Sequence, residues 1–164
     1  MRRPLLATAT VLLIAAPAQA HIVAVPVEAR AGSYAAVAFR VGHACSSGDV
    51  TTALRVEIPE GVESARAQPK PGWDVTVERG AAGSRPDAIT WTGRLTDDAF
   101  EDFNLLMKLP KTGETLVFPV VQTCDHGESQ WIETADPAQP DQALSRPAPV
   151  LRLIPAAPAA AHQH

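Results

Sequence analysis

Apolar and polar residues alternate with a period of two in several stretches of this chain. From Tyr34 to Val41, the residues Tyr34, Ala36, Ala38 and Arg40 alternate with Ala35, Val37, Phe39 and Val41. That is the pattern of a half-buried strand. Ala53 to Ile58 alternates again, with Leu54, Val56 and Ile58 set against Arg55 and Glu57, and Pro59-Glu60-Gly61 ends it with turn chemistry. Trp73, Val75 and Val77 share one face of a third such stretch. Ile22 to Val25, Ile89 to Trp91, Phe103 to Leu109, Leu116 to Val121 and Gln130 to Glu133 are shorter apolar candidates, and Val150 to Ile154 adds an edge strand. Pro110-Lys111-Thr112-Gly113 reads as a hairpin between two of them, and Gly80 to Asp87 as a loop. Thr96 to Phe100 is expected to make one helical turn, because Asp97 and Asp98 suit a helix start. Seven or eight short strands with no long helix predict an all-β sandwich of immunoglobulin or fibronectin type III kind. After Thr134 the composition shifts to Pro, Ala, Asp and Gln; the sandwich domain is expected over residues 21–154, and Pro155 to His164 reads as a disordered tail.

The first 20 residues stand apart from this pattern. Arg2 and Arg3 precede an uncharged apolar run from Leu5 to Ala16, and Ala18-Gln19-Ala20 follows. This is the order of a secretory signal peptide, cut after Ala20. The run is short of the about 20 residues that a spanning helix needs, so an uncleaved anchor is the lesser reading, and the mature product is expected to have no membrane span. Export places the protein in the periplasm, the cell envelope or the medium. The leader holds two of the 14 basic residues and none of the 18 acidic ones, so the mature chain has 12 basic against 18 acidic residues. A net negative charge argues against nucleic acid and against anionic membrane surfaces. It does not oppose a cation. The two cysteines, Cys45 and Cys124, are expected to pair, because an exported protein meets an oxidising compartment. They form no C-x-x-C pair, which weakens the rival reading as thiolate ligands.

Cleavage after Ala20 would make His21 the mature N-terminus. An N-terminal histidine carries its free α-amine and its imidazole Nδ1 on one residue, and together they close a six-membered chelate ring on a metal ion. The amine, with a pKa of about 8, gives up its proton to a metal near neutral pH. Nitrogen donors in a planar set suit Cu(II). A chelate of two nitrogens needs further ligands. His43 is the first candidate, just after a strand and two residues from Cys45. His126, beside Gly127 in a turn-like stretch, is a weaker one, and Glu28 can supply an oxygen or stand as a solvated turn carboxylate. Trp131 belongs to the core or walls a metal site against water. His162 and His164 sit on a tail that nothing orders into a rigid site. There is no G-x-S-x-G, H-E-x-x-H or glycine-rich phosphate loop. Asp97, Asp98, Glu101 and Asp102 read as a solvated acidic turn rather than a carboxylate pair for hydrolysis.

The ordered set of segments resembles the YcnI-type copper-binding domain family, in its histidine-glycine-cysteine-like branch. The matching stretches are His21, Glu28 to Tyr34, Phe39 to Cys45, Ile58 to Val62, Pro69 to Trp73, Phe118 to Cys124 and Gln130 to Glu133. The resemblance implies an extracytoplasmic immunoglobulin-like sandwich that binds one Cu(II) through a single-histidine brace, with His21 as the brace and Trp131 beside the metal. Family members also use a glutamate from the turn after the second strand. This chain places His43 and Ala44 there, so His43 is the expected substitute and Glu28 the alternative. Cys45 and Cys124 resemble the paired cysteines of that branch.

Three functions are compatible with these residues. The foremost is a copper carrier or buffer in copper homeostasis, exchanging with other periplasmic carriers, a copper importer or a copper oxidase. A copper oxidoreductase needs a second histidine, which His43 supplies, and a broad aromatic face, which three tryptophans and one tyrosine hardly furnish; the chain is therefore expected not to be an enzyme. A metal-free adhesion or scaffold sandwich is the third, since the fold alone does not fix function.

Overall fold

The segment Tyr34–Val41 forms a strand because its inward row is Val37, Phe39 and Val41, all fully buried, while Tyr34, Ala36 and Arg40 stay exposed. The structure, a computed structural model, describes residues 21–80, 85–139 and 142–156. The leader expected over residues 1–20 and the tail histidines His162 and His164 lie outside the described residues. Twelve strands form among the described residues: β1 (Val23–Val25), β2 (Glu28–Arg30), β3 (Tyr34–Val41), β4 (Val50–Glu57), β5 (Ser64–Ala67), β6 (Asp74–Arg79), β7 (Pro86–Thr96), β8 (Glu101–Lys108), β9 (Thr115–Val117), β10 (Val120–Cys124), β11 (Gly127–Trp131) and β12 (Val150–Ile154).

A four-stranded sheet in the order β1-β3-β8-β5 faces a five-stranded sheet in the order β11-β10-β4-β7-β6, and β2-β12-β9 form a small third sheet. The all-β sandwich expected from the alternation is what forms. Its core lies between the two larger sheets. Trp91 of β7 meets Phe103 of β8 at 5.5 Å between ring centroids, and Phe39 of β3 meets Phe118 at 5.1 Å. Edge-on aromatic pairs of this kind add to the area they bury.

Several local expectations are corrected. Leu116 to Val121 is not one strand. The Phe118 amide donates to Pro149 O while Pro119 O accepts from the Glu57 amide, both at 2.9 Å, so the chain changes sheets there and Phe118 turns into the core. Pro119 has no N–H with which to continue a ladder. The hairpin expected at Pro110 to Gly113 is absent as such, because β8 and β9 belong to different sheets. Thr96 to Phe100 makes no helical turn: Thr96 ends β7, and the Ala99 amide closes a tight turn on Thr96 O at 3.1 Å. Asp97 is drawn away to another loop, as described below. The short strand expected at Ile89 to Trp91 is the centre of an eleven-residue one. The final candidate strand begins at Gly127, where a φ of +120° requires glycine to close the tight turn from Cys124.

Candidate metal centre

Strand register determines where His21 lies. In β1–β3 pairing Val23 stands opposite Arg40 and Ala24 opposite Phe39. Continued by two residues, the same antiparallel register sets His21 opposite Gly42, next to His43. Both histidines therefore sit at one end of the four-stranded sheet, on its β1 edge. The five-stranded sheet brings its own edge strand, β11, to the same place, and β11 ends in Trp131.

The two imidazoles pack edge-on against that single indole. Ring centroids lie 6.1 Å apart for His21 and Trp131, with an interplanar angle of 67°. They lie 6.2 Å apart for His43 and Trp131, at 71°. Trp131 is buried, whereas His21 and His43 are each half-buried. The indole forms a dry wall and the imidazoles reach toward solvent from it.

His43 is held from several sides. Its Nδ1 lies in hydrogen-bonding contact with Ala44 O. A carbonyl can only accept, so Nδ1 is the donor in that contact. The loop that follows is fastened by Asp97, whose Oδ1 accepts the Ala44 amide at 2.9 Å and whose Oδ2 accepts the Gly48 amide at 2.8 Å. Hydrogen bonds from the Gly48 and then the Ala44 amide hold the Asp97 carboxyl below the usual aspartate range, against the opposing effect of burial. Asp97, set aside in the sequence as part of an acidic turn, is thus the clasp of the histidine loop.

Cys45 and Cys124 form a disulfide that joins this loop to the end of β10. The Cys45 amide also points at Cys124 Sγ, 3.0 Å away. Two residues before Cys124, the fully buried Gln122 donates from Nε2 to His43 O and to Thr51 Oγ1, each at 2.8 Å. Its Oε1 accepts the Trp131 indole N–H at 3.2 Å. No sequence signal marked Gln122. A polar residue in an apolar strand reads as an outward position, and only the register shows it on the inward row with Val120 and Cys124.

The remaining candidates lie on other elements. Glu28 stands on β2, beside the parallel strand β12, and takes Arg152 Nη2 at 3.1 Å. His126 occupies the β10–β11 turn, its ring largely exposed, with Nδ1 3.2 Å from Asp49 Oδ1. Among the described residues no group of three or more His, Cys, Asp or Glu side chains is arranged to hold a metal. Both sulfurs are committed to the bridge.

Comparison with known proteins follows the same lines. The family model described as a domain of unknown function, DUF1775, matches residues 21–153. The copper-binding protein CutI of Bacillus subtilis (strain 168) is 26% identical over 135 residues, which cover 80% of this chain and 64% of that protein. This chain thus spans just under two thirds of that relative's length. The crystal structure of an uncharacterized protein from Nocardia farcinica, described as immunoglobulin-like, matches with a TM-score of 0.67 at 34% identity. The match covers 81% of this chain and 97% of that one.

Proposed function

Since this chain belongs to the family described as domain of unknown function DUF1775, we propose that it is an exported Cu(II)-binding protein whose mature N-terminal histidine is the principal ligand. The YcnI-type resemblance read from the ordered segments holds, as the similarity to copper-binding protein CutI agrees with it. The observation that carries the copper reading is the convergence of His21 and His43 on one buried indole, with no third side-chain ligand grouped with them among the described residues.

In this reading the α-amine and Nδ1 of His21, freed by cleavage after Ala20, close the chelate. His43 adds a second imidazole, set against the same indole. Nitrogen donors suit Cu(II), which heads the affinity series of divalent first-row metals. Trp131 closes one side against water and stiffens both rings. Glu28, engaged by Arg152, is outside this set. Half-exposed ligands at a sheet edge favour a carrier or buffer, which must release its ion to a partner such as another copper carrier, an importer or a copper oxidase. The leader supports a periplasmic or cell-envelope location.

The test is a Cu(II) titration of protein beginning at His21, followed by electron paramagnetic resonance. His21→Ala and a form with one extra residue before His21 should each weaken binding at least tenfold, about 1.4 kcal/mol. His43→Ala should change the nitrogen splitting. Equal binding by the extended form would remove the α-amine from the ligand set and overturn the proposal.

A further inference from the structure

A fully buried side-chain amide is costly unless its polar groups find partners. Gln122 has no exposed surface, and two of its three side-chain hydrogen bonds lead to the candidate metal centre. Its orientation is unambiguous. His43 O can only accept and Trp131 Nε1 can only donate, so the Gln122 amide nitrogen must face His43 and its oxygen must face the indole. The reverse orientation would lose both bonds. The second amide hydrogen goes to Thr51 Oγ1 on β4.

We infer that Gln122 is the positioning residue of this site: one side chain ties the Trp131 indole to the His43 main chain and so sets where the second imidazole stands relative to the first. The inference rests on the copper reading above and deepens it. His43 leaves β3 at the end of the four-stranded sheet, whereas Trp131 ends an edge strand of the five-stranded one. Sheets in a sandwich slide and twist relative to one another unless something spans the gap, and apolar packing is weakly directional. One directed bond crosses it, from Gln122 Nε2 on β10 to His43 O at 2.8 Å, while Gln122 Oε1 holds the indole of Trp131 on the neighbouring strand at 3.2 Å. The disulfide joins the same two segments two residues further on. It fixes how closely they approach. Gln122 fixes how the indole is turned, and both imidazoles rest on that indole. A planar nitrogen set is sensitive to such an angle, because a ligand displaced from the plane loses the geometry Cu(II) favours.

The experiment uses the processed protein and two variants. Gln122→Leu removes all three hydrogen bonds at similar volume. Gln122→Glu keeps the acceptor for Trp131 and loses both donors. Each should lower Cu(II) affinity at least tenfold and alter the copper hyperfine splitting of the folded protein. Thr51→Val, which loses the third bond and a weak 3.8 Å contact with Cys124 Sγ, should lower stability and leave the copper spectrum as it was. A merely structural role for Gln122 would leave the spectrum of the folded variants unmoved, and affinity within twofold of the parent with an identical spectrum overturns the inference.

A second readout needs neither copper nor a variant that folds. In the metal-free parent, the Trp131 indole proton and the Gln122 amide protons should exchange with solvent at least a hundredfold more slowly than those of free side chains. Exchange at the free rate overturns the inference even if copper binds. A parent that binds no copper while these protons stay protected would instead refute the proposed function and leave the Gln122 clamp standing.

Discussion

Replacing both Cys45 and Cys124 by alanine should destabilise this domain by an amount that follows from the topology. The bridge closes a loop between residues 79 apart in sequence. In the chain-entropy model such a cross-link removes about 4.5 kcal/mol of freedom from the unfolded chain at 25 °C. Cys124 is buried and Cys45 half-buried, so loss of the two sulfur atoms from the packing adds on the order of 1 kcal/mol. Small domains are stable by roughly 5–15 kcal/mol, so the variant would lose a third or more of its stability. Its melting temperature should fall on the order of 15 °C for a chain of this size. Equilibrium urea unfolding followed by circular dichroism measures this directly. The slope of free energy against urea should also rise, because the uncrosslinked chain exposes more surface when it unfolds. Comparing oxidised with reduced parent separates the cross-link from the packing of the sulfurs. A loss under about 1.5 kcal/mol with an unchanged slope would refute the entropic account and place the bridge's value in the local geometry of the histidine loop.

Two further outcomes test the packing and the electrostatics away from the candidate metal centre. A Cβ on Gly93 would stand 2.4 Å from Trp73 Cδ2 and 2.8 Å from Gly72 O, and Trp73 is wedged against Phe103 at 4.8 Å. Gly93→Ala should therefore cost roughly 1–3 kcal/mol by overpacking in urea unfolding. It should leave Cu(II) affinity unchanged, because β7 and β6 lie across the sheet from the β11 edge. Asp102 receives Arg40 Nε and Nη2, each at 2.8 Å, and this hydrogen bond is the main reason its carboxyl is held below the ordinary value of 3.8. A carboxyl depressed in the folded state contributes stability above its unfolded pKa and loses that contribution as pH falls through the folded one. Asp102→Asn should thus lower stability at pH 7 and leave it unchanged in strong acid, so that the acid limb of a stability–pH profile below about pH 4 flattens. An acid limb as steep as the parent's would show that this pair carries none of it.

What the linear chain determined here is whatever has a local cause. Alternation over Tyr34 to Val41 specified a half-buried strand, because side chains in a strand point to opposite faces. Positive, apolar and small residues in succession carry the expectation of a leader. A histidine behind that cleavage signal carries the expectation of a chelator, since amine and imidazole would sit on one residue. Two cysteines with no third implied their own pairing, and Cys45 and Cys124 are bridged. What only the tertiary structure decided depends on which strands become neighbours. Phe118-Pro119 passes between two sheets because the Glu57 amide and Pro149 carbonyl claim its backbone on opposite sides. Asp97 clasps the loop after His43 across 53 residues of sequence. Gln122, polar within an apolar strand, faces inward and joins Trp131 to His43. Register and sheet pairing set these contacts, and both are collective properties of the packed sandwich. Local sequence carries the period of a strand, but not the identity of the side chain that will meet it from the other sheet.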